Sequence, residues 1–105
     1  MRAAYACGLF ALLGCGPVQS TAYLMDAEVQ LEAARTAQAE RYAAYEWTAA
    51  NLYFRKSKEE IGYSDYQQAV DYAQKAAKFA AQARDNAMKA PRKDEPPAGG
   101  PVKAP

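Results

Sequence analysis

Histidine is missing from the 105-residue sequence, and cysteine occurs only twice. Without histidine the chain lacks the side chain that most often serves as general base and metal ligand near neutral pH. No glycine-rich phosphate loop occurs. The adjacent carboxylates Glu59 and Glu60 fall on different faces of a helix, each four residues after a basic partner (Arg55, Lys56), an ordinary surface arrangement. These absences argue against an enzyme, a metal centre, a bound cofactor and a small-molecule substrate. There is no excess of either charge, with 13 lysines and arginines against 12 acidic residues. Basic and acidic side chains are interspersed, so no footprint for nucleic acid is visible. Proline is absent from residues 22–90 and glycine occurs there once, at Gly62.

The long apolar run needed to cross a bilayer is also absent. Residues 3–13 are apolar apart from their glycine, but a bilayer core of ~30 Å takes about 20 helical residues. The opening MRAAYACGLFALLGCGPVQS instead has the layout of a secretory leader: one basic residue, Arg2, a short apolar stretch, then small residues. Leu12-Leu13-Gly14-Cys15 matches the lipobox, with leucine three before the cysteine and a small residue beside the cut. The expectation is cleavage before Cys15, acylation of its thiol and a covalent lipid (palmitate-type) anchor in a membrane. Cys7 would leave with the leader, so the mature chain would have neither a free thiol nor a disulfide. Gly16 is not aspartate, which in the usual sorting rule favours the outer membrane, with the domain facing the periplasm.

The rest of the chain is rich in helix formers. Residues 15–21 read as the lipidated cysteine and a tether, 22–90 as an α-helical hairpin, and 91–105 (PRKDEPPAGGPVKAP) as a disordered tail. The first helix is expected over 21–61. Gly62 would end it in the left-handed conformation, and the turn would occupy 62–64. Ser64 would cap the second helix, with Gln67 completing a capping box, and that helix would run over 65–90. The fold class is therefore all-α: a long antiparallel two-helix hairpin, coiled-coil-like. Its seam on the second helix would be Ala69, Ala73, Ala76, Ala80, Ala83 and Ala87, at alternating steps of three and four.

The first helix carries two neighbouring apolar stripes. Tyr42, Tyr45, Ala49 and Leu52 form one; Ala43, Trp47, Ala50, Phe54 and Ile61 form the other. One partner helix covers one stripe, and residues 22–36 have no opposite number. Burying a large apolar side chain contributes ~1.5–3 kcal/mol, whereas ordering a residue costs about 1.5 kcal/mol. A hairpin short of large aliphatics is then marginal alone, which points to self-association or a protein partner. Trp47, Phe54, Tyr53 and Ile61 are the expected contact residues, although rings filling the loop end of the hairpin are the plainer reading of the aromatics.

The stretch Gly62-Tyr63-Ser64-Asp65-Tyr66-Gln67-Gln68-Ala69, followed by Ala73 and Ala76, resembles the second helix of a tetratricopeptide repeat over about fifteen residues, without a second copy ~34 residues away. The pattern Ala44-Tyr45-Glu46, Ala50, Tyr53, Lys56, Glu59, Gly62 to Tyr66, Ala69, Ala73, Ala76 is similar to an uncharacterised family of small bacterial lipoproteins with a tyrosine- and alanine-rich helical domain. That resemblance implies an envelope helical hairpin and no activity. The sequence reads as a membrane-anchored structural or assembly component of the cell envelope; the alternative is a tetratricopeptide-like adaptor that binds peptides or subunits of an envelope complex.

Overall fold

The computed structural model describes residues 17–92, and every regular element among them is an α-helix. The leader, Cys15, Gly16 and residues 93–105 lie outside the described residues, and so do the expectations placed on them. The helices are α1 (Pro17–Thr36), α2 (Ala39–Tyr42), α3 (Ala44–Gly62) and α4 (Tyr66–Lys89). Residues 17–21, expected to be tether, are already helical. Pro17 suits the first helical position because its missing N–H has no intrahelical acceptor there. The hydroxyls of Ser20 and Thr21 donate back to the Pro17 carbonyl at 3.0 and 2.8 Å.

The single helix expected over 21–61 is divided in three. Gln38 adopts a left-handed conformation (φ 62°) and Ala43 leaves the helical region (φ −145°, ψ 54°), with one short helix between them. Neither residue is a helix breaker by propensity, so the cause is tertiary. The bend lets α1 lie against α4, which packs extensively with both α1 and α3. Residues 22–36 therefore do have a partner, and the overhang expected from the sequence does not exist.

Small residues set the packing. On α1, Ser20, Ala27 and Ala34 stand seven apart and are fully buried; Ala43, Ala50 and Ser57 repeat the spacing into and along α3, buried to 6% exposure or less. On α4 the buried face is Ala69, Val70, Ala73, Ala76, Ala80, Ala83 and Ala87, whose alanines form two interleaved seven-residue columns. Two columns on one helix can serve two neighbours. Ala34, Ala39, Ala43, Ala83 and Ala87 form one core cluster; Leu31, Ala50 and Ala80 form another. Ser57 Oγ donates to the Ala69 carbonyl at 2.7 Å, satisfying a hydroxyl that has no access to water. Farther from the turn, Asn86 Nδ2 donates to Glu46 Oε1 at 3.1 Å.

The turn between α3 and α4 is shifted from its expected place. Gly62 remains helical, and the left-handed residue is Ser64 (φ 62°). The Ser64 N–H donates to the Ile61 carbonyl (3.0 Å) and the Asp65 N–H to the Glu60 carbonyl (2.9 Å), the paired bonds of a Schellman ending with Ser64 in the position that glycine favours. The cap of α4 is Asp65, whose Oδ1 accepts from the Gln68 N–H at 3.2 Å, and not Ser64 with Gln67.

Pro91 and Arg92 were expected to begin the tail. Arg92 instead donates to the carbonyls of Ala37 (2.9 Å) and Ala87 (3.3 Å), with its guanidinium 4.6 Å from the Tyr42 ring centroid. One cation thus serves carbonyls at the ends of two helices, where intrahelical donors run out and positive charge is favoured.

Candidate interaction surface

The close approach of α3 and α4 decides where their large side chains go. Columns of alanine and serine leave no depth between the helices, so aromatic residues flanking the seam stack along its rim. Tyr45 meets Phe79 edge-on (centroids 6.5 Å, 80°), Phe79 stacks on Tyr53 (5.7 Å, 9°), and Tyr53 stacks on Tyr72 (5.8 Å, 29°). Lys75 Nζ lies 5.5 Å from the Tyr53 ring and 5.9 Å from that of Tyr72, and Lys56 Nζ lies 5.9 Å from Tyr72. Such contacts contribute ~0.5–1 kcal/mol each where exposed. The row is wet on its outer side: Tyr45 is 75% exposed, Leu52 on the same helix is 41% exposed, and Tyr53, Tyr72 and Phe79 are half-buried.

The residues singled out from the sequence are divided by this arrangement. Tyr53 belongs to the row of rings. Trp47 and Phe54 sit on the other flank of α3 and pack against the cluster that contains Leu31 of α1, with Trp47 also touching the cluster around Ala34. Arg35 of α1 lies 6.0 Å from the Trp47 ring and Lys58 lies 5.3 Å from Phe54. Ile61 is half-buried near the turn. The stripe expected to remain open, Trp47 and Phe54, is therefore the one that α1 reaches. The open stripe is that of Tyr45 and Leu52.

Phe79, Tyr72 and Lys75 were not among the expected contact residues. Their signal was present: Tyr72 and Phe79 stand seven apart on α4 with Lys75 between them, while Tyr45 and Tyr53 stand eight apart on α3, followed by Lys56. Equal faces on adjacent helices were needed to see one surface in two short patterns. Chemically the row offers ring faces, tyrosine hydroxyls and two ammonium groups, which suits contact with another macromolecule.

Among the described residues, no group of three His, Cys, Asp or Glu side chains converges on a point that could hold a metal ion, and no helix is long and apolar enough to cross a membrane. Comparison with protein-family models, with curated proteins and with solved structures finds no match to this chain.

Proposed function

We propose that the chain is a lipoprotein, acylated on Cys15 and anchored at the outer membrane with its helices in the periplasm, where it acts as a structural or assembly component of the cell envelope. The lipobox before Cys15 supports the anchor, and the observation that supports the role is the rim row Tyr45, Phe79, Tyr53 and Tyr72 with the adjoining Leu52. Aromatic residues are enriched in protein interfaces and supply contact area at low entropic cost. The unit presenting the row is an antiparallel hairpin of α3 and α4. It is supported by the pairing of Ser57 with Ala69 beside the turn and of Glu46 with Asn86 far from it. The partner is another envelope protein or a second copy, engaged through helices.

The test is photo-cross-linking in intact cells, with a photoreactive residue at Tyr45 or Leu52 and a control at Gln74, exposed on α4. One discrete adduct from positions 45 and 52, and none from 74, is expected. Equal yields at all three positions would contradict the reading. A spread of adducts of many masses would favour the tetratricopeptide-like adaptor instead.

A further inference from the structure

The buried face of α1 is Ser20, Ala27, Leu31 and Ala34. On the opposite side a second apolar stripe runs at helical spacing: Val18, Ala22, Met25 and Val29, at steps of four, three and four. None of it is used by the bundle, since Val18 is 63% exposed, Met25 61% and Val29 65%. Pro17, Val18, Thr21, Ala22 and Met25 line a shallow, mainly apolar groove at its start. We infer that this outer face of α1 lies in the headgroup region of a zwitterionic bilayer, so that the bundle rests on its side against the membrane. The inference rests on the lipid anchor at Cys15 proposed above.

Three observations select the bilayer as occupant. The stripe begins three residues after Cys15, and helix starts at Pro17, so one residue of sequence, Gly16, separates the anchor from the helix. From Val18 to Val29 the face extends ~17 Å along the helix, long enough to lie along a surface that the anchor enters. Four modest side chains bind a membrane weakly alone, but an anchored face meets it at high effective concentration, so a weak intrinsic affinity suffices. An apolar helix face lying in the interface sits about 5–10 Å deep at the headgroup boundary.

Charge refines the choice. Asp26, Glu28 and Glu32 flank or follow the stripe, and α1 has no lysine or arginine before Arg35. Anionic lipid is therefore disfavoured and a zwitterionic surface preferred. The same residues argue against a second copy here. Two co-anchored chains would align their α1 helices in the same sense, setting like carboxylates side by side. With α1 against the membrane, the rim row on the far flank of α3 is left free for a partner.

Single cysteines at Met25, Val29 and, as a control, Gln74 test this in the full-length lipidated protein, whose mature form has no other free thiol. Each is labelled with an environment-sensitive fluorophore on phosphatidylcholine vesicles, with and without added phosphatidylglycerol. Labels at 25 and 29 are expected to shift to the blue, to be quenched by lipid-borne nitroxide and to be shielded from an aqueous quencher. The label at 74 should do none of these, and added anionic lipid should reduce the effect at 25 and 29. Protein that floats with the vesicles while those two labels remain in water would overturn the inference and leave the anchor standing. A blue shift that grows with protein concentration at fixed lipid would overturn it in favour of a second copy. Protein that does not float would overturn the anchor and the inference together.

Discussion

Around the α3–α4 turn, amino acid and backbone are mismatched at two neighbouring positions. Gly62 is helical and exposed, and a Cβ added there meets nothing within 4 Å, while Ser64 holds the left-handed conformation. Glycine in a helix costs up to about 1 kcal/mol relative to alanine. A side chain in the left-handed region costs roughly 1–2 kcal/mol, partly offset by the extra unfolded-state freedom that glycine brings. Gly62→Ala and Ser64→Gly are each expected to stabilise the protein, by about 0.5–1 kcal/mol, and to add when combined. Chemical denaturation followed by circular dichroism measures this. If Gly62→Ala destabilised the protein by more than about 1 kcal/mol, Gly62 would be the left-handed residue after all. The sequence alone favours that wrong assignment, because glycine is the usual residue in such a position and serine is not.

At the scale of the helices, legibility tracked local chemistry. The run of helix formers without proline indicates an all-helical chain, and the alanine spacing in α4 coincides with the face it buries. The bend at 37–43 has no local signal: Gln38 and Ala43 are ordinary in a helix, and their conformations are maintained by contacts made elsewhere. Arg92 is one of those contacts, 55 positions from the carbonyl of Ala37 that it binds. Arg92→Ala is expected to cost about 1.5–3 kcal/mol, the range for hydrogen bonds to a charged group. Arg92→Lys should recover only part of that, since an ammonium cannot stack on Tyr42 and fork to two carbonyls at once. Hydrogen exchange should rise in α2 and in the last turn of α4. Unchanged protection there would show that the bend is held without Arg92. On α4, Ala80→Leu is expected to destabilise by about 1–3 kcal/mol through overpacking, since Ala80 is fully buried among Leu31 and Ala50. Leucine is nearly as good a helix former as alanine, so a raised melting temperature would mean that the helices are not in close approach at this point.

For the whole molecule, bending the first helix changes what the surface offers. A two-helix hairpin would leave Trp47 and Phe54 open and residues 22–36 unsupported; the bundle gives both to α1 and leaves the ring row and the outer stripe of α1 uncovered. Large side chains dominate the stripes visible in a sequence, whereas columns of small residues seven apart direct this packing, which is why the sequence does not show that α1 reaches Trp47 and Phe54. Both uncovered surfaces acquire their meaning from where the chain is held, and that depends on Cys15. Metabolic labelling with a clickable fatty acid, in cells expressing the full-length chain or its Cys15→Ala variant, tests that point most directly. Label is predicted on the wild type and none on Cys15→Ala, with the variant retained as an uncleaved precursor. A wild type that carries no label, or a variant that labels equally, would contradict the lipid anchor and the placement built on it.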